Sequence, residues 1–213
     1  MMRKVFLHIP KCGGNTVEAK FRCNNIPYVR IEPDTPMENV PDGIVTGHFD
    51  FAKLESDESA KFFTVIRTPL DRAISHYHYC FATKEINPEY PLIKDMSVEE
   101  FLDKYISDNY MARYIIGHKW FDNEVSDVVR FGECISTINE RYLAIGRIES
   151  IGHFDYWLVN EFGGATVIAH DNRNEHDSSV SVEARLKFLK KNAVDYMLCE
   201  YLGNLWVNPK FKK

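Results

Sequence analysis

The chain has 213 residues, 45% of them hydrophobic and 27% charged, with 9 Pro and 11 Gly, proportions that exclude a disordered chain, a collagen-like repeat and a coiled-coil rod. Lys and Arg number 26 against 31 Asp and Glu, a formal net charge of −5, which argues against broad, sequence-independent binding to a nucleic acid backbone. Any anion site must be a local pocket.

Val5-Phe6-Leu7-His8-Ile9 reads as a short buried strand, ended by Pro10. Gly13-Gly14 then predicts a loop, with Asn15 as the N-cap of a helix from about Thr16. Ile44-Val45-Thr46 is a second strand, running into Gly47-His48-Phe49-Asp50-Phe51, and Phe62 to Ile66 is a third. Thr68-Pro69 signals a helix start, and Leu70, Ala73, Ile74, Tyr77 and Phe81 form its predicted core stripe. Ser97-Val98-Glu99-Glu100 is a capping box ahead of Phe101, Leu102, Tyr105 and Ile106. Tyr142 to Ile148 reads as a later strand, followed by a helix around Phe154 to Phe162. Val182, Leu186, Leu189, Ala193, Met197 and Tyr201 predict a final helical stretch, broken near Asn192. The segments Asn24–Gly43 and Thr83–Met96 contain Pro and lack periodicity, so they read as loops at the sheet's edge. Strands alternating with helices predict an α/β domain over residues 1–213: a three-layer, P-loop-like fold with a central, mostly parallel sheet flanked by helices.

Five cysteines (Cys12, Cys23, Cys80, Cys134 and Cys199) stand at wide spacing with no CxxC pair, the pattern of reduced thiols rather than of a zinc ribbon. No stretch approaches the ~20 apolar residues of a membrane span. The apolar run before Pro10 is too short for a signal peptide, so the expectation is a cytoplasmic protein.

The stretch Phe6-Leu7-His8-Ile9-Pro10-Lys11-Cys12-Gly13-Gly14-Asn15-Thr16 has the order strand, glycine loop, helix N-terminus. Loop amides and the positive end of the helix favour a bound phosphate, and Lys11 adds a full charge. A kinase or GTPase loop would carry Lys after the second Gly; here Lys11 precedes both. Cys12 at a helix start beside Lys11 is a conceivable phosphatase nucleophile. That chemistry wants an Arg where Glu18 stands, a residue that would repel phosphate. The alternative for the loop is an ordinary tight turn.

Phe63-Thr64-Val65-Ile66-Arg67-Thr68-Pro69-Leu70-Asp71-Arg72-Ala73-Ile74-Ser75-His76-Tyr77 repeats the architecture. Arg67 at the carboxyl end of a strand needs an anionic partner, and its planar fork matches a phosphate; Asp71 is the competing partner. His76, His78 and Cys80 alternate along a predicted helix and so point about 200° apart in succession, which argues against a metal site.

This pair of motifs resembles the sulfotransferases that use 3′-phosphoadenosine 5′-phosphosulfate (PAPS), closest to their carbohydrate (heparan and chondroitin) O-sulfotransferase branch. That branch carries a HIPKxGGT-like loop for the 5′-phosphosulfate and an R-x-P-x-x-R-x-x-S-x-Y segment for the 3′-phosphate. Asn15 and Thr68 depart from its commoner residues. Gly47-His48-Phe49-Asp50-Phe51, Asn109-Tyr110-Met111-Ala112-Arg113 and Ile145-Gly146-Arg147-Ile148-Glu149 are similar to its GHxxF, N-x-x-x-R and IGxxE segments.

The resemblance implies sulfuryl transfer from PAPS to an acceptor hydroxyl, without a metal. His48 is then the general base, and Lys11 stabilises the departing phosphate. Cys12, Gly13, Gly14, Asn15 and Thr16 hold the 5′-phosphate, and Arg67 and Ser75 the 3′-phosphate. Asn109 and Arg113 are expected to face nucleotide or acceptor, and His8 to be structural. The expected acceptor is a glycan of low charge or a small hydroxylated metabolite, since no long basic run precedes Lys187. The lysines at 187, 190, 191, 210, 212 and 213 read as a solvated face. A kinase-like phosphotransferase and a non-catalytic nucleotide-binding protein are the competing readings.

Overall fold

The structure, a computed structural model, describes residues 2–122, 124–166 and 179–211; Lys212 and Lys213 of the C-terminal lysine group lie outside them. One six-stranded sheet runs through the molecule in the order β2-β3-β1-β4-β5-β6. Its strands are β1 (Arg3–Leu7), β2 (Val29–Arg30), β3 (Ile44–Gly47), β4 (Ala60–Ile66), β5 (Tyr142–Arg147) and β6 (Leu205–Val207). All neighbours are parallel except β5 and β6, as expected of strands joined by helical crossovers. The α/β prediction holds. β2 and β6, two and three residues long, carry too little pattern to be read from the sequence.

Alternate side chains of each strand enter opposite layers. Val5, Leu7, Phe62, Ile66 and Ile145 pack under α5 (Tyr110–Ile116), α6 (Asp127–Arg141) and α9 (Ala193–Leu202). Phe6, Phe63, Val65 and Ala144 pack under α1 (Gly14–Cys23) and α7 (Ile151–Phe162). A third apolar cluster joins α2 (Pro69–Ala82), α3 (Tyr90–Ile93), α4 (Val98–Glu100) and α8 (Val182–Lys191).

Two helical expectations are corrected. The buried face of α2 is Leu70, Arg72, Ala73, His76 and Cys80, while the predicted Ile74, Tyr77 and Phe81 are half-buried at its flank. The break at Asn192 is where it was expected, but α8 and α9 bury Phe188, Val194, Leu198 and Leu202, leaving Val182, Leu186 and Leu189 exposed. The polar groups of Asn109, Asp195 and Arg72 decide these faces, and apolar periodicity does not register them. The capping box at Ser97 forms, with both reciprocal hydrogen bonds.

Candidate active site

The loop after β1 builds an anion cradle from backbone. Lys11 and Gly13 both adopt left-handed conformations, with φ of 66° and 86°, so the chain doubles back before α1. Gly13 is the N-cap and Gly14 the first helical residue; Asn15, expected as the cap, sits exposed inside the first turn. The Cys12 amide donates to the Ile9 carbonyl (3.2 Å) and the Thr16 amide to that of Gly13 (3.1 Å). The amides of Gly13, Gly14 and Asn15 meet no backbone acceptor among the described residues, leaving three donors at the positive end of the helix. Of the expected 5′-phosphate ligands, then, Cys12 and Thr16 have their amides already committed.

Both glycines are required by close approach. A Cβ on Gly13 would overlap the end of Ile148, and one on Gly14 would overlap the His8 ring. Lys11 lays its Nζ 3.9 Å from the centre of the Tyr79 ring, a cation–π contact that positions it beside α2. The Cys12 thiol is buried, and burial pushes its pKa up to about 12 against the pull of Arg72 and Arg67. It stays protonated near neutrality, which disposes of the phosphatase alternative.

The second junction, β4 to α2, is built from side chains. Arg67 follows β4 and donates from Nη1 to the Lys11 carbonyl at 3.4 Å, so the two predicted anion sites adjoin. Asp71, the competing partner, forms no ion pair with it among the described residues. Thr68 occupies the N-cap position but does not cap α2. Its amide and Oγ1 both donate to Glu149 Oε1, at 2.6 and 2.7 Å, and Oγ1 accepts from Arg147 Nη2 at 2.9 Å. Burial raises the Glu149 pKa, but the Thr68 bonds outweigh it and hold the carboxyl below its ordinary range. Ser75 is half-buried one helical turn before Tyr79, on the side of α2 that Lys11 reaches.

His48 stands immediately after β3. Its Nδ1 donates to the His8 carbonyl at 2.8 Å, which fixes the proton on Nδ1 and leaves Nε2 of the neutral ring as a bare acceptor. The ring lies 4.2 Å from that of His8. Burial lowers the His48 pKa below 6.5, only partly opposed by the bond to the His8 carbonyl, so the ring is neutral at physiological pH.

His8 itself is pushed down to about 4 by burial and by the His48 charge. As a neutral ring it donates Nδ1–H to Glu18 at 3.0 Å. Glu18 also accepts from Thr46 Oγ1 at 3.0 Å and from Arg30 at 3.3 Å. Burial alone would raise the Glu18 pKa, yet these donors hold it low. The residue expected to repel phosphate is instead turned away into a network that fixes His8, and through it His48. Beside His48 opens a cavity of about 330 Å³ lined by Pro33, Asp50, Lys53, Tyr114 and His118, in which the Asp50 carboxylate holds His118 Nδ1 at 2.6 Å.

Two predicted residues are not brought to this site. Asn109 Oδ1 accepts from the amides of Val194 and Asp195 at 2.9 and 3.3 Å, clasping α5 to α9. Arg113 donates from Nε to the Asp108 carbonyl at 2.7 Å and lies 4.6 Å from the Phe121 ring centre. Both side chains are thus engaged in contacts within the protein. His76 and Cys80 share one face of α2, with His78 apart, and Glu89 joins them, accepting from His76 Nε2 at 2.6 Å and Cys80 Sγ at 3.4 Å. Those are hydrogen-bond spacings, and one carboxylate oxygen satisfies both donors. The place of His8 in this network accords with the structural role expected of it; the sequence reading missed the part played by Glu18, for which a carboxylate at a core-facing position of α1 was the signal available.

No family model matches the sequence, and no curated protein does. Among solved structures, a sulfotransferase from Alicyclobacillus acidocaldarius matches at a TM-score of 0.52, covering 95% of both chains at 12% identity. The chain has the sulfotransferase fold. A mouse sulfotransferase crystallised with PAP covers 64% of each chain at 15% identity with a TM-score of 0.30, an overlap that carries no weight here. No helix among the described residues is long and apolar enough to cross a membrane.

Proposed function

We propose that the protein transfers a sulfuryl group from PAPS to an acceptor hydroxyl. The observation that carries the reading is the convergence of three strand ends. The amide cradle follows β1, Arg67 follows β4, and His48, with Nε2 bare, follows β3. Ligands of open α/β sheets bind at such carboxyl ends. A donor with two phosphate groups fits this layout, because the cradle admits no Cβ at Gly13 or Gly14 and Arg67 has no ion pair among the described residues. When bound, that donor supplies the sulfuryl group.

The chain's own residues do the rest. The amides of Gly13, Gly14 and Asn15 orient the 5′-phosphate, and Arg67 with Ser75 holds the 3′-phosphate. Lys11 places positive charge where the phosphate departs. His48 Nε2 accepts the proton of the acceptor hydroxyl, and the His8 carbonyl steadies the imidazolium that results. The acceptor enters the cavity beside His48. With Asp50 beside Lys53 and His118 on its wall and a net charge of −5 on the chain, that cavity is mixed in charge rather than uniformly basic, and suits a glycan of low charge or a small hydroxylated metabolite better than a dense polyanion.

The test is transfer of labelled sulfate from PAPS to a panel of hydroxyl compounds. His48→Ala should slow transfer by about 10²–10⁴-fold while leaving adenosine 3′,5′-bisphosphate binding intact. Turnover of ATP·Mg²⁺ in place of PAPS would sink the reading and put the phosphotransferase in its place.

A further inference from the structure

The cavity beside His48 holds more polar groups than the removal of one hydroxyl proton requires. One oxygen of Asp50, just after β3, accepts twice from His118: from its amide at 3.3 Å and from Nδ1 at 2.6 Å. A carboxylate only accepts, so Nδ1 carries the proton, and the residue is held by backbone and ring together. Its Nε2 has no hydrogen-bond partner among the described residues. Tyr114, one turn earlier on α5, packs edge-on against the His118 ring, with centroids 6.0 Å apart. Its hydroxyl meets only that of Tyr110 among the described residues, at a long 3.5 Å. Burial keeps this phenol protonated and therefore able to donate. Lys53 is already spent: its Nζ donates to the carbonyl of Pro33 at 2.7 Å and to that of Thr35.

Resting on the sulfuryl-transfer reading above, we propose that the acceptor is a polyol, and that His118 reads a second hydroxyl of it while the first is sulfated at His48. His48 needs a single O–H. The Tyr114 hydroxyl and His118 Nε2 belong to residues lining the same cavity of about 330 Å³, and a simple alcohol would strip them of water with nothing to offer in return. Polar groups left unpaired in this way are what let a site reject an analogue lacking a hydroxyl, by as much as about 10⁴-fold. A second hydroxyl both donates and accepts, so it answers the phenol proton and the ring nitrogen together. Pro33 and Phe49 give the cavity apolar faces for the C–H surface of a sugar or cyclitol ring. Its volume is at the small end of ligand pockets, and with Lys53 spent on backbone carbonyls the wall does not ask for an anionic acceptor.

The test sets trans-cyclohexane-1,2-diol and a panel of methyl glycosides against cyclohexanol, with PAPS as donor. In the wild type, kcat/KM for the best polyol should exceed that for cyclohexanol by at least about a hundredfold. His118→Ala should cut that ratio by about tenfold or more. His118→Gln, whose amide reaches to where Nε2 stands, should restore most of it. Binding of adenosine 3′,5′-bisphosphate, measured by calorimetry, should be the same in all three proteins, since His118 lies on the acceptor side. Cyclohexanol turned over as fast as the polyols, an unchanged ratio or an altered bisphosphate affinity in His118→Ala, a Gln variant no better than the Ala variant, or a wild type that binds the bisphosphate yet sulfates no polyol would each overturn the proposal. A wild type that binds no bisphosphate takes down the nucleotide reading first and this proposal with it, and that is seen before any acceptor is compared.

Discussion

The junctions β1 to α1 and β4 to α2 stand side by side, and each turns a strand into a helix at a candidate anion site, yet they are made differently. The first is backbone: two left-handed residues, two glycines that admit no side chain, and three unclaimed amides. The second is side chain: Arg67 reaches across to the Lys11 carbonyl, and Thr68 is strapped to Glu149 in the turn just past β5. The contrast teaches that one junction should be broken by adding atoms and the other by removing them.

The largest effect is expected from Gly14→Ala. Its methyl group collides with the His8 ring, which is buried, bound to Glu18 and packed at a tilt against His48. Overpacking of this kind costs about 1–3 kcal/mol, and displacing His8 disturbs base and cradle together. Thermal melting and bisphosphate titration should both register it, and a variant that melts and binds like the wild type would break the comparison at its backbone half.

Arg67→Ala comes next. Losing a charge-assisted contact of about 1.5–3 kcal/mol should weaken bisphosphate binding by roughly ten- to a hundredfold while affecting 5′-AMP much less. Glu149→Gln removes the charge from the Thr68 strap and should cost about 1 kcal/mol, read as a small drop in melting temperature and a few-fold loss of affinity. The smallest effect belongs to Asn15→Ala. It leaves the backbone donor in place and deletes an exposed side chain, so affinity should stay within about twofold, as for surface substitutions generally.

The pH dependence of transfer sharpens the same picture on the acceptor side. Burial lowers the His48 pKa, with Arg30 adding to the shift while Glu18 and Glu32 oppose it. The base is competent when deprotonated, so the rate should be flat near neutrality and fall only as pH drops through a midpoint below 6.5. A midpoint above that value would contradict the neutral, Nδ1-protonated ring.

The same contrast explains what could be read in advance. β1, β3, β4 and β5 announce themselves as short apolar runs because both their faces are buried. The Gly13-Gly14 loop announces itself because few residues other than glycine fit where a neighbouring ring stands. α6 gave no such sign: it buries only Cys134 and Ile138 and leaves Val128 and Val129 exposed, so its stripe is blurred. Glu149, Glu18 and Arg72 take their roles from partners far along the chain, such as Thr68 at a separation of 81 residues, and no local pattern encodes a distant partner. Asn109 and Arg113 carried a motif-like spacing, but one is spent on the amides of α9 and the other on the Asp108 carbonyl.

The most direct test of the two-site account is calorimetric titration of the wild-type protein with adenosine 3′,5′-bisphosphate, 5′-AMP and ATP·Mg²⁺ in parallel. The account predicts that the bisphosphate binds far more tightly than 5′-AMP, and that Arg67→Ala closes most of that gap. Equal affinity for the bisphosphate and 5′-AMP, or tight binding of ATP·Mg²⁺ with none of the bisphosphate, would contradict it.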